Sequence, residues 1–159
     1  MKGNDKLIAT LNNLLADELT AISQYMVHSE MCDNWGYDKL HKAIEKQAKD
    51  EMHHAEWLIQ RILFLEGVPV VSKLNPLKIG KTVVDMVTVD EEAEIGAIRA
   101  YNAAIVLAGE VGDQSTADLL TDILKMEEGH VDWAEMQRAQ IEHMGLQNYL
   151  TNQTEGAAS

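Results

Sequence analysis

The chain repeats itself at one fixed offset, and the repeat carries acids on faces that should be apolar. Glu18 and Glu94 stand 76 residues apart, as do Ala21 and Ala97, Ile22 and Ile98, and Tyr25 and Tyr101. The same offset relates Lys49 to Lys125, Glu51 to Glu127, His54 to His130 and Trp57 to Trp133. Eight identities in two short windows divide the chain into two related halves, which should face each other across a pseudo-two-fold axis.

Each half reads as a pair of helices. The only two prolines, Pro69 and Pro76, fall within 67–81. The proline-free sequence on either side is rich in Ala, Leu, Glu, Lys and Gln, which favour helix. Apolar residues recur at three- and four-residue steps in four stripes. These are Leu7–Leu11–Leu15–Ile22–Tyr25, Leu40–Ile44–Ala48–Ala55–Leu58–Ile62–Leu65, Val83–Val87–Ile98–Tyr101–Ile105 and Leu120–Ile123–His130–Ala134–Ile141. Each is the single inward face of a core-facing helix, and no segment alternates as a strand would. The spacing predicts helices over 5–34, 38–66, 82–111 and 114–143, broken at Asn34–Gly36 and Gly112, with a short fifth helix after Gly145.

The fold class follows from the links. Helices of about 29 residues are roughly 44 Å long. The short first and third links make each pair an antiparallel hairpin. Extended, the 15-residue link 67–81 reaches roughly 50 Å, the length of the bundle. The third helix can then start beside the start of the second and run parallel to it. The expected architecture is an all-α four-helix bundle, two antiparallel hairpins joined by a long crossover, plus a short C-terminal helix, with 1–159 as one domain. The apolar residues of the crossover (Val68, Val70, Val71, Leu74, Leu77 and Ile79) predict a segment packed on the bundle.

Composition removes several function classes. Acids outnumber bases 26 to 13, for a net charge of −13. Such a surface repels phosphate backbones and draws cations, so no nucleic-acid partner is expected. Cys32 is the only cysteine, which rules out an internal disulfide and a cysteine-rich metal knuckle. No run of 18 apolar residues provides a membrane span. The opening MKGNDK leads into polar, periodic sequence without an apolar signal core, and a cytoplasmic location is expected.

The repeated acids then become the central problem. Glu18 and Glu94 lie on the inward stripes of the first and third helices; Glu51 with His54 and Glu127 with His130 lie on those of the second and fourth. Each acid stands 12–14 residues into its helix, so all four glutamates and both histidines should meet at mid-bundle. Uncompensated, four carboxylates in an apolar core cost far too much to persist. Protons, basic side chains or metal can neutralise them, and no Lys or Arg accompanies them on the stripes. Two divalent cations fit the count, each taking a terminal Glu and a His while the Glu-x-x-His acids bridge. Carboxylate with imidazole suits iron, manganese or zinc. A lone Glu-x-x-His is a weak signal in a chain with 15 Glu and 6 His. Two of them in register with two further buried acids and a duplicated Tyr are a strong one.

With these residues in place the sequence resembles the ferritin-like di-iron proteins, and among them the bacterioferritin family. The likeness runs from LADELTAISQY through DEMHHAE, RILFLEGVP and EEGHVDW to MGLQNYL. The Glu plus Glu-x-x-His set is the general ligand pattern of that superfamily. The resemblance implies that Glu18, Glu51, His54, Glu94, Glu127 and His130 form a ferroxidase centre holding two iron ions per subunit. Fe(II) would be oxidised there by dioxygen or peroxide, and ferric mineral stored inside a homo-oligomeric shell of 24 subunits built from dimers. It also implies a b-type haem at the dimer interface, one per two subunits, and a small ferredoxin as electron donor.

The haem expectation falls on Met52. Met52 breaks the repeat, its partner being Glu128, and one residue past Glu51 turns it away from the centre and out of the subunit. The resemblance makes it the axial haem ligand from each of two subunits, and thioether suits haem iron. By residue type alone it reads as a soft interface side chain.

Other residues have lesser expected roles. Tyr25, two turns after Glu18, should stand near the centre as an electron donor or hydrogen-bond partner, and Tyr101 likewise beside a ligand. His53 should be on the surface, and His28, His41 and His143 solvated or interfacial. The resemblance implies that Asp50 faces the shell interior, where some relatives pair this acid with a His four residues earlier. Lys46 stands there instead, which argues against an inner-surface iron site. Asn148 is expected to line a four-fold channel. The same ligand set also serves a di-iron or di-manganese peroxidase or catalase that stores nothing.

Overall fold

The computed structural model describes residues 1–155; the last residues of the predicted 1–159 domain, 156–159, lie outside the described part. The described residues contain five helices and no strand: α1 (Asp5–Asn34), α2 (Asp38–Phe64), α3 (Val83–Glu110), α4 (Gln114–Met144) and α5 (Leu146–Thr151). None is long and apolar enough to cross a membrane.

The helix ends have local causes. Asn4, Thr82 and Asp113 cap α1, α3 and α4, each side chain accepting from the backbone N–H three residues on. Gly36 (φ 80°) and Gly112 (φ 75°) turn the chain through the left-handed region within the two tight links. The second helix ends at Phe64, two residues before its predicted end. Glu66 is left-handed (φ 61°), and the Gly67 N–H donates back to the Ile62 carbonyl at 2.9 Å.

The predicted connectivity is found. α1 pairs with α2 and α3 with α4, and the hairpins meet mainly along α1 and α3. The crossover follows α1 from its beginning toward its end. Asn12 brackets it first, donating to the Val68 carbonyl (3.1 Å) and accepting from Val70 N–H (2.8 Å). Thr20 then accepts from Asn75 N–H (2.8 Å) and Gln24 from Lys78 N–H (3.3 Å). His28 Nε2 finally accepts from Gly80 N–H at 2.9 Å. The third helix therefore starts where α2 starts and runs parallel to it.

One expectation about the crossover fails. Its apolar side chains are not packed on the bundle: Val68 is 77% exposed, Val71 60% and Leu74 53%, and Val70, Leu77 and Ile79 are also open to solvent. Polar contacts with α1 hold this segment. A periodic pattern marks which side chains are to be covered, but not whether the cover is the same chain.

The core is split in two. Leu7, Leu11, Leu15, Leu58, Ile62, Leu120 and Ile123 belong to one apolar cluster, and Leu40, Ile44, Val83, Met86, Val87 and Tyr149 to the other. The mid-helix charged residues lie between them in sequence on every long helix. The short α5 closes the second cluster, with Tyr149 buried and its hydroxyl donating to Gln137 Oε1 at 2.7 Å.

Candidate metal centre

Each long helix brings its mid-point residues to the bundle axis. The side chains of Glu18, Glu51, His54, Glu94, Glu127 and His130 are buried there. They form two overlapping groups. Glu18, Glu51, Glu127 and His54 each offer a ligand atom within 4.8 Å of the others, and so do Glu94, Glu51, Glu127 and His130. Glu51 and Glu127 belong to both groups.

Both imidazoles turn Nδ1 inward. His54 Nδ1 lies 2.7 Å from Glu127 and 3.5 Å from both Glu18 and Glu51. His130 Nδ1 lies 2.9 Å from Glu51, 3.3 Å from Glu94 and 3.7 Å from Glu127. These are close approaches, yet few are oriented hydrogen bonds. Among the described residues, the buried side-chain polar atoms left without a hydrogen-bond partner are Glu18 Oε2, Glu51 Oε1, His54 Nδ1, Glu94 Oε2 and both Glu127 oxygens. All belong to this cluster. Buried polar atoms are normally paired, and unpaired carboxylate and imidazole atoms converging on one point suit a cation. Four carboxylates also balance the four positive charges of two divalent ions, and mixed carboxylate and imidazole donors suit iron, manganese or zinc.

The crowded carboxylates and imidazoles shift one another's proton affinities. Burial, then the Glu51 charge, pushes Glu18 well above the usual carboxylate range; burial and Glu127 do the same to Glu94. Burial alone would pull His54 down, but contacts with Glu127, Glu18 and Glu51 outweigh it and push it up to about 12. His130 is raised in the same way by Glu127, Glu51 and Glu94. Burial acts to raise Glu127, yet its contacts with Glu94 and both histidines hold it well below the usual range.

The tyrosines cross over between the hairpins. Tyr25 donates to Glu94 and Tyr101 donates to Glu18, so each orients the terminal acid of the other hairpin. Burial and the facing carboxylate push both phenols well above their ordinary range, which keeps them protonated donors.

Two recesses flank the centre. One, of about 370 Å³, is lined by Glu18, Gln24, Asn75, Glu92 and Glu94, between α1, α3 and the crossover. The other, of about 360 Å³, is lined by Lys46, Asp50, Met126, His130 and Trp133, between α2 and α4.

The remaining sequence-predicted residues are placed as follows. Met52 is 44% exposed beside a fully buried Glu51, so it points out of the subunit. His53 and His143 are exposed, as expected. His28 is neither solvated nor interfacial. It is fully buried, its Nδ1 is 2.9 Å from Asp90 Oδ1, and Gln24 donates to the same oxygen at 2.7 Å. Its partners come from α3 and the crossover, which local spacing does not reveal. His41 is half-buried, its Nδ1 donating to the Ser29 carbonyl at 2.9 Å. Asn148 is exposed on α5, donating to the Met144 carbonyl.

Sequence reasoning missed two contacts behind the histidines. His130 Nε2 lies 3.0 Å from Asp50 Oδ2, and His54 Nε2 lies 3.2 Å from Met126 Sδ. The signal was present: Asp50 and Met126 are also 76 residues apart, each immediately before a bridging acid.

Comparison with known proteins bears on this arrangement. The profile of the ferritin-like domain family matches residues 8–144. A bacterial ferritin of Synechocystis sp. is 42% identical over 96% of this chain and 99% of its own length. Bacterioferritins of Rhodobacter capsulatus and Mycolicibacterium paratuberculosis are 40% and 38% identical, each over 94% of this chain and over 92% and 94% of their own lengths. The chain belongs to the bacterioferritin family. The family is one of iron-storage proteins, and the matched residues run from α1 to the end of α4.

Proposed function

We propose that this bacterioferritin-family chain oxidises Fe(II) at the buried Glu/His cluster and stores the ferric product in a shell of 24 copies assembled from dimers. The observation that carries this reading is the convergence of unpaired, buried carboxylate and imidazole atoms into two ligand groups with shared acids. Iron is here the substrate.

The acid-lined recess beside α1 and α3 draws Fe(II) inward. Glu18 with His54, and Glu94 with His130, take one ion each, and Glu51 and Glu127 hold the two together. Carboxylates stabilise Fe(III) more than Fe(II), which favours electron loss. Two Fe(II) ions supply two electrons, so dioxygen with two protons leaves as hydrogen peroxide, or peroxide with two protons leaves as two waters. Tyr25 and Tyr101 keep the terminal acids aimed at the ions.

Met52 fits a haem ligand in one respect: its thioether is exposed and faces away from the bundle, where a second subunit can present the same residue. Met52 from each of two subunits would hold a b-type haem, one per dimer, which would supply one-electron chemistry between a small ferredoxin and stored ferric iron. The absence of a membrane-crossing helix among the described residues is compatible with work in the cytoplasm.

Aerobic addition of Fe(II) to metal-free protein tests the reading through ferric absorbance in the near ultraviolet. A store keeps gaining absorbance far past two irons per chain while the protein stays dissolved. Growth that stops at two makes the chain a non-storing di-iron or di-manganese peroxidase or catalase. The double variant Glu94→Ala, Glu127→Ala should lose the rapid phase; its survival would place the chemistry elsewhere.

A further inference from the structure

The 76-residue repeat gives the two halves of the centre a common frame. Each has a terminal Glu, a His turning Nδ1 inward, a share of both bridging acids and a tyrosine donating from the opposite hairpin. His54 is the more enclosed of the two imidazoles and rests against Trp57, and the charge difference lies behind the rings. Behind His130 stands the Asp50 carboxylate, 3.0 Å from Nε2. Behind His54, at the repeat-equivalent position, stands the Met126 thioether, 3.2 Å from Nε2.

That difference acts on the metal. When Nδ1 binds a cation, the remaining proton sits on Nε2 and must be donated outward. A carboxylate accepting it fixes the ring and draws the proton away, making Nδ1 a more basic ligand. A thioether sulfur is only a weak acceptor and carries no charge. Lys46 also contacts Asp50, at 3.3 Å, but its side chain is 77% exposed, so water screens that pairing more than the buried one.

We propose that the centre is built unequal: the Glu94–His130 half binds its cation tightly, and the Glu18–His54 half, backed by Met126, binds loosely and exchanges first. The inference deepens the ferroxidase reading and rests on it. Met126 and Asp50 are positioning residues, acting only through the imidazoles.

Calorimetric and visible-absorbance titration of the assembled, metal-free protein with Co(II) tests it without turnover. Two classes of one ion per chain are expected, separated by about 10–100-fold in affinity, the usual effect of the group behind a metal-bound histidine. Glu18→Ala should remove the looser class and Glu94→Ala the tighter. Met126→Asp should tighten the looser class about tenfold and leave the other in place. Met126→Gln, a neutral acceptor of similar length, should shift the same class in the same direction, and Met126→Leu should leave it where it was. Improved binding cannot come from a damaged fold. Two ions bound with equal affinity would overturn the inequality and leave the metal centre standing. An unchanged looser class in Met126→Asp would do the same. Saturation below one ion per chain would overturn the centre, and this proposal with it.

Discussion

Cation binding at the proposed Glu/His centre should displace protons from its histidines. The facing carboxylates push His54 up to about 12 and raise His130 as well, while burial raises Glu18 and Glu94. Metal takes only neutral imidazole and ionised carboxylate, so every ion bound releases protons. The sign follows: apparent affinity rises with pH and falls as acid refills the sites. Calorimetric titration of Co(II) in buffers of different ionisation enthalpy should show net proton release across the neutral range. A pH-independent affinity would contradict it. These six residues were legible in the sequence because helical periodicity marks inward positions, and an acid there is conspicuous. For Asp50 and Met126 the repeat marks the paired positions but not their contacts, because they touch histidines across the bundle rather than along their own helix.

At the scale of elements, the crossover shows what periodicity leaves open. Its path was fixed by length, since only a nearly extended chain spans the bundle. What secures it was hidden, because the partners lie on α1 and come from distant sequence. His28 is the last and most buried fastening. Gly80 N–H can only donate, so His28 Nε2 must accept and Nδ1 must carry the proton toward Asp90. Replacing His28 by Ala strands both the Gly80 amide and part of the Asp90 carboxylate. The expected loss is about 1–3 kcal/mol, the cost of unsatisfied buried polar groups. Hydrogen exchange should quicken at Gly80 while mid-helix amides of α2 and α4 keep their protection. Unaltered exchange at Gly80 would mean that the other crossover contacts suffice.

At the scale of the whole molecule, the exposed apolar surface calls for a partner. Leu63, Phe64, Val68, Val71 and Leu74 are each more than half exposed along the end of α2 and the crossover, while the chain carries a net charge of −13 that favours staying apart. Apolar side chains retained on so acidic a surface fit burial against other copies. Val71→Arg with Leu74→Arg should therefore shift sedimentation from a large shell to small species with helical content unchanged. A shell of undiminished size would clear this segment of any role in assembly. The sequence displayed these residues as apolar, and length alone placed them over the bundle; only the folded chain showed them facing outward.

The doubled hairpin has one more implication. Two separate copies of a single hairpin could in principle assemble the same ligand set, since each supplies one glutamate and one Glu-x-x-His. Such a pair would be bound by symmetry: whatever residue stood behind one histidine would stand behind the other. Joining both copies in one polypeptide makes their meeting intramolecular, and it also releases each position from its twin. A carboxylate at 50 and a thioether at 126 are a difference that identical partners could never encode. The crossover is thus the covalent condition for giving the two related halves of the cluster separate characters.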